Sequence, residues 1–257
     1  LRMGVPVGAR NIFPSNIQGL PTWYEVRVSE AGWLGRRGGV DLMVAMNPQT
    51  WDADVKGIEP GGYILYDSSK PLPASKFRDD ITLIGAPLTE LIAAEFINPR
   101  ERQLFKNICY IGVIAHLLGI EPDLVKQLLT DEFKGKDKLI QPNFKAFELG
   151  RAYAENNIAP ISLKLRRADK VGDRIFVEGN EAAGLGAVYG GATFCAWYPI
   201  TPSTSLAEGF EKHCRGLRKD GEGKSRYAIV QAEDEIASVG MVMGAGWAGC
   251  SRRCSTC

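Results

Sequence analysis

Histidine is almost missing from this chain, with only His116 and His213 among 257 residues. Neither has a second ligating residue at metal-site spacing, so a His-based metal centre is excluded. No run of eighteen apolar residues occurs, which excludes a membrane-spanning helix. The opening Leu1-Arg2-Met3-Gly4-Val5-Pro6 lacks the basic-then-apolar pattern of a secretion leader, and position 1 is not Met. The chain is therefore expected to begin inside a longer gene product and to reside in the cytoplasm. An excess of either charge is also lacking. The 31 Lys+Arg against 30 Asp+Glu leave +1, which gives no reason to expect nucleic acid or an anionic membrane as partner. Cysteine is sparse, and Cys109, Cys195 and Cys214 are isolated in apolar or helical surroundings. That pattern suits reduced thiols, not a disulfide framework.

What is present is ordinary for a globular protein, with 45% hydrophobic and 24% charged residues. Residues 1–38 read as mostly irregular, with one strand within Thr22–Ser29 where Tyr24, Val26 and Val28 alternate with polar residues. Val40–Met46, Tyr63–Asp67 and Ile81–Ala86 are short apolar runs of the kind buried on both faces of a parallel sheet. Helical patterning over Gln49–Ile58 and Leu88–Phe96 alternates with them, which predicts an α/β layer fold. Phe105–Leu118, Pro122–Phe133 and Pro142–Asn156 then read as helices. The stretch 159–174, with Lys164, Arg166, Arg167 and Lys170, reads as a solvated linker. Beyond it the expected plan is helix (Glu181–Phe194), strand (Ala196–Ile200), helix (Ser203–Leu217), strand (Tyr227–Gln231) and helix (Glu235–Ala248). Too few elements remain to close a sheet, so the second domain is expected to be truncated.

Four motifs carry candidate chemistry. Tyr198-Pro199-Ile200-Thr201-Pro202-Ser203 follows a buried strand and opens a helix, with Thr201 as N-cap and Pro202 in the first turn. Free N–H groups there, with the Thr201 hydroxyl, suit an anionic ligand such as the carboxylate of a 2-oxo acid. Glu233-Asp234-Glu235 lies between an apolar strand and an apolar helix. It is either plain N-terminal helix charge or, at Glu235, a partly desolvated acid–base carboxyl. Gly184-x-Gly186-x-x-x-Gly190 departs from the dinucleotide-binding spacing and reads as small residues for close helix packing, with Asn180 and Glu181 placed to cap and charge the helix start. Cys250-x-x-x-Cys254-x-x-Cys257 has the spacing of a radical-enzyme iron–sulfur ligand set. Composition changes abruptly at Ser251, however, and an aberrant tail over 251–257 is the preferred reading.

The 198–203 motif and Gln231–Gly249 resemble the α subunit of 2-oxoacid:ferredoxin oxidoreductases, in the form with a γ domain fused ahead of the α domain, a type associated with 2-oxoglutarate. The likeness extends to Asn11–Tyr24 and Gly35–Asp41 for the γ domain and to Gly179–Ala187 at the entry to the α domain. It implies a Rossmann-like three-layer γ domain (1–158), a linker (159–174) and the first part of a thiamine-enzyme pyrimidine-binding α/β domain (175–250).

The resemblance further implies thiamine diphosphate shared with a partner β subunit, and Mg2+ and a [4Fe-4S] cluster on that subunit. Coenzyme A is then the co-substrate, ferredoxin the electron acceptor, a small 2-oxo acid the substrate, and the assembly a hetero-oligomer. By position, Glu235 matches the glutamate that hydrogen-bonds the aminopyrimidine ring, with Glu233 as the fallback. Tyr198 and Thr201 match the substrate end of the site. No Gly-Asp-Gly with a downstream Asn-Asn occurs, so the diphosphate–magnesium grip is expected on the partner. Two other readings remain: a non-catalytic piece that serves only assembly with partner subunits, and a radical enzyme built on the terminal cysteines.

Overall fold

Ile64 and Leu65, adjacent on one strand, are both fully inaccessible, yet they belong to two different cores. Successive side chains of a strand point to opposite faces, so this strand is covered on both sides. The computed structural model describes residues 1–13, 20–70, 72–134 and 136–250, and the backbone of 254–256. The chain divides into two compact units, one of Leu1–Arg10 with Tyr24–Gly172, the other of Asn11–Trp23 with the chain from Asp173 onward. Two strands near the start, β1 (Val7–Ile12) and β2 (Trp23–Val28), pair as a small sheet.

The first unit is built on three parallel strands, β3 (Val40–Ala45), β4 (Ile58–Asp67) and β5 (Thr82–Ala86), in that order. A 3-10 turn (Pro48–Thr50) and α1 (Trp51–Lys56) supply Trp51 and Val55 to the core on one face, where they meet Ile58, Ile64 and Ile81. On the other face α2 (Leu88–Glu95), α3 (Pro99–Leu118) and α5 (Asp137–Asn157) bring Leu88, Ile92, Phe105, Val113 and Ala146 against Leu65 and Ile84. Helix, sheet and helix make three layers. Helix α4 (Pro122–Glu132) buries none of its residues.

Local chemistry sets the ends of α3. Asn98 caps it by accepting from the Arg100 N–H at 3.0 Å, Pro99 occupies the first position, and Gly119 ends it with φ at +75°. At mid-length, Gly112 faces the Phe147 carbonyl and Gly150 faces the Cys109 carbonyl, so α3 and α5 meet backbone to backbone. At the end of β4, Asp67 accepts from the amides of Ser69 (3.2 Å) and Thr89 (3.3 Å) and from the Thr89 hydroxyl, with Lys106 Nζ at 3.7 Å. It serves as a remote cap for α2, because Pro87 at the N-cap position has no capping side chain.

The basic stretch that reads as a solvated linker is irregular but not a loose tether. Leu165 N–H donates to Leu118 O (2.7 Å) and Lys164 Nζ to Leu117 O (2.9 Å), closing the end of α3. Arg167 grips Glu121 through two hydrogen bonds, and Ala168 and Lys170 donate backbone N–H groups to Met3 and Gly4. Lys164 and Arg167 act as anchors, which composition alone does not distinguish from solvated charge.

The second unit has a parallel sheet in the order β7-β6-β8, with β6 (Phe194–Trp197) central between β7 (Ala228–Gln231) and β8 (Cys254–Thr256). Helices α6 (Gly179–Tyr189) and α7 (Thr204–Leu217) close a core of Val188, Ala192, Cys195, Ala207, Phe210 and Cys214. Helix α8 is Glu235–Trp247.

Three expectations need correction. The opening stretch contains β1, although Val7-Gly8-Ala9-Arg10 lacks alternation. Helix α5 starts at Asp137, ahead of Pro142, which lies inside it. Helix α6 ends at Tyr189, not Phe194, because Gly190 and Gly191 (φ +94°) stop it and release Phe194 into β6.

Candidate functional site

Strands β6 and β7 run side by side in parallel, with Trp197 opposite Gln231, so both chain ends leave the same edge of the sheet. There Ala232 N–H donates to Trp197 O at 2.7 Å. This edge, at the carboxyl ends of parallel strands, is where open α/β sheets bind ligands. The turn after β6 carries Tyr198 and Thr201, and the turn after β7 carries Glu233 and Glu235.

The structure brings Tyr198 and Glu235 together: the phenol donates a hydrogen bond to Glu235 Oε1. Glu233 stands two residues upstream, exposed and outside the helix. Asp234 caps α8, accepting from the Ala237 N–H at 2.8 Å, while Ser238 Oγ donates to Asp234 O at 2.9 Å. The cap fixes the first turn of α8 and with it the Glu235 backbone.

Glu235 sits in the arrangement of the first of its two readings, plain charge at a helix start, and not of the second, a partly desolvated carboxyl. It is exposed, and its pKa lies below the ordinary glutamate value. The Tyr198 hydrogen bond is the largest cause and its own backbone N–H the next, against weaker opposition from desolvation and the Asp234 charge. The Tyr198 phenol is correspondingly raised, first by the bond to Glu235 and then by desolvation and the two carboxylate charges. The second reading does not hold because α8 presents an apolar stripe that nothing among the described residues covers. Ile236, Val239, Met243 and Trp247 are 83%, 49%, 70% and 96% exposed, at three- and four-residue spacing.

Thr201 does not cap a helix. It precedes a cis peptide bond to Pro202, and α7 begins only at Thr204, with Ser203 in the N-cap position making no side-chain cap. Three of the amides there are already bonded within the chain. Thr204 N–H bonds Ile200 O, and those of Leu206 and Ala207 bond Ser203 O. The hydroxyls of Ser203 and Thr204 turn back to Ile200 O, and that of Ser205 to Pro202 O. Thr201 itself is exposed, and its hydroxyl makes no hydrogen bond among the described residues.

A residue that sequence reasoning misassigned holds this turn. Asn180, expected at the start of α6 as a cap, donates instead to Pro202 O and to Ser205 Oγ, both at 2.8 Å. Its signal was an amide early in a glycine-rich helix, and spacing alone does not reveal its target. Gly184 packs against the backbone of Gly209 and Phe210 on α7, as the close-packing reading requires, but Gly186 faces open space.

Among the described residues no group of three or more His, Cys, Asp or Glu is arranged to hold a metal ion. Cys257 and the Cys254 side chain lie outside the described residues. No helix described is long and apolar enough to cross a membrane.

The family model for pyruvate ferredoxin/flavodoxin oxidoreductase matches residues 1–153, and the thiamine diphosphate-binding model of the pyruvate flavodoxin/ferredoxin oxidoreductases matches residues 185–257. Subunit alpha of 2-oxoacid:ferredoxin oxidoreductase 1 from Aeropyrum pernix is 28% identical, covering 96% of this chain and 45% of the relative. Over a shorter stretch, 29% of this chain and 18% of the relative, the 2-oxoglutarate synthase subunit KorA of Methanocaldococcus jannaschii is 45% identical. Among solved structures, 2-oxoglutarate:ferredoxin oxidoreductase from Magnetococcus marinus, with 2-oxoglutarate, coenzyme A and succinyl-CoA bound, aligns with a TM-score of 0.79 and 28% identity. It covers 96% of this chain and 41% of that one. The chain thus spans about half the length of the curated relatives it matches most fully.

Proposed function

The chain belongs to the pyruvate ferredoxin/flavodoxin oxidoreductase family, and on that premise we propose that it is the α-subunit part of an enzyme that oxidatively decarboxylates a 2-oxo acid, 2-oxoglutarate by preference, to the acyl-CoA while reducing ferredoxin. The observation that carries this reading is the meeting of Tyr198 and Glu235 at one edge of the second sheet, with Thr201 exposed on the adjoining turn.

The residues present fit one half of a thiamine diphosphate site. An ionised, accessible glutamate at a fixed helix start is an acceptor for a ring N–H, and its other partners here are a phenol and its own backbone amide. When bound, thiamine diphosphate supplies the electron sink that lets a 2-oxo acid lose carbon dioxide. Glu235 holds the aminopyrimidine ring and biases its protonation, and Thr201 offers a hydroxyl to the carboxylate or keto oxygen of the substrate. The diphosphate grip, Mg2+ and the [4Fe-4S] cluster belong on this reading to a partner β subunit in a cytoplasmic hetero-oligomer. Its domains follow as a γ domain (1–158), a linker (159–174) and the start of the pyrimidine-binding domain (175–250).

The test is carbon dioxide release from a panel of 2-oxo acids by the complete αβ enzyme, compared with Glu235→Gln. Loss of roughly 10²–10⁴-fold is expected, the usual share of a positioned acid–base group. Wild-type-like release would remove Glu235 from the reaction, and equal rates on pyruvate and 2-oxoglutarate would remove the substrate preference. A second reading, assembly without catalysis, draws on the exposed stripe of α8. It predicts that Glu235→Gln leaves subunit association and rate alike unchanged.

A further inference from the structure

We propose that Tyr198 is a positioning residue for Glu235: its phenol orients the carboxylate, and its part in the reaction is exerted through Glu235 and not by contact with the 2-oxo acid. The inference rests on the assignment of Glu235 above, and it differs from the role that the motif alone suggests for Tyr198.

The geometry gives Tyr198 a specific target. It leaves β6 one residue after Trp197, and its Oη donates to Glu235 Oε1, across the edge where β6 and β7 lie in register. A hydrogen bond to a charged acceptor is stronger than one between neutral groups. A carboxylate has about four lone-pair positions, so the phenol and the Glu235 backbone N–H leave acceptor capacity for a further donor. The phenol thereby fixes the rotation of the carboxyl group and selects the side on which a ring N–H is received. A donor held on the charged form also resists protonation of the glutamate. The other charge acting on the pair is Asp234, which opposes the ionisation of both groups and is itself engaged as the cap of α8. The Thr201 hydroxyl, without a partner among the described residues, remains the group on this turn free for substrate.

The experiment has two arms. In the first, the 257-residue chain alone is titrated by NMR with side-chain ¹³C labels on Glu and Tyr, as wild type, Tyr198→Phe and Glu235→Gln. Tyr198→Phe is expected to raise the Glu235 midpoint, and Glu235→Gln to lower that of Tyr198. Independent titrations would overturn the coupling, whatever the enzyme does. In the second arm, Tyr198→Phe in the complete αβ enzyme is expected to lower kcat roughly ten- to hundredfold, as misplacing a reacting group does, with KM for the 2-oxo acid unchanged. A raised KM with kcat retained would make Tyr198 a substrate contact and overturn the proposal. Failure of the wild-type complex to bind thiamine diphosphate would defeat the functional reading while leaving the first arm's result standing.

Discussion

Gly112 on α3 faces the carbonyl oxygen of Phe147 on α5 so closely that a methyl group in its place would overlap that oxygen. Gly150 on α5 stands in the same relation to the Cys109 carbonyl, so the two contacts lock the helix pair from both sides. Gly112→Ala and Gly150→Ala are each expected to destabilise the first unit by up to about 2 kcal/mol net, because overpacking costs about 1–3 kcal/mol. That cost outweighs the roughly 1 kcal/mol gain in helix propensity from replacing glycine. Gly186→Ala on α6 meets nothing within 4 Å and should stabilise by up to about 1 kcal/mol. Urea midpoints of the three variants check the opposite signs.

Asp67 makes the stability of the first unit depend on acid. Burial pushes its pKa up, but the hydrogen bonds from Thr89 and Ser69 together outweigh burial and hold it below the ordinary aspartate value. A depressed carboxylate contributes stability that is complete above its unfolded pKa and is lost as pH falls through the folded one. Asp67→Asn keeps one acceptor for the two amides but loses the carboxylate oxygen that the Thr89 hydroxyl binds, and is therefore expected to destabilise at neutral pH by about 0.5–1.5 kcal/mol, the net worth of one hydrogen bond. The difference from wild type should shrink once pH drops below the ordinary carboxylate range. Urea unfolding of both proteins from pH 7 down to the acid limit of solubility would show it, and a constant gap would refute it.

Thiol reactivity should separate the cysteines. Burial, helped by the nearby Asp67 charge, pushes the Cys109 thiol up to about 12, and Cys195 and Cys214 are also inaccessible. Because the thiolate is the nucleophile, Cys109 should resist iodoacetamide at pH 8 while the exposed Cys250 is modified quickly. Mass spectrometry of timed digests reads this directly. Rapid labelling of Cys109 in the folded protein would contradict the packing of α3.

Much of the fold was legible because burial on both faces leaves a plain mark. Tyr63–Asp67 is a nearly continuous apolar run, and Ile64 and Leu65 show why. Strand β1 left no such mark, since a two-stranded sheet neither needs alternation nor excludes Gly8. The site was legible as two turns at adjacent strand ends, and Tyr198 and Glu235 do lie together there. The exposure of Glu235 was not, because an apolar helix suggests cover that the described residues do not provide. A helix sequence records that a face is apolar, not whether the same chain buries it. Asn180 was misread for a related reason: capping preferences are local, whereas its partners are Pro202 and Ser205 on another element.

The anchored basic stretch after α5 bears on where the first unit can be cut. A piece ending at Ile158, where the last helix stops, would expose the carbonyls of Leu117 and Leu118 and strip Met3 and Gly4 of the amides that bind them. The seam extends to Lys170, and a boundary beyond it keeps every one of those bonds. For anyone excising this unit, the Lys- and Arg-rich stretch that looks like disposable spacer is the fastening that must travel with it.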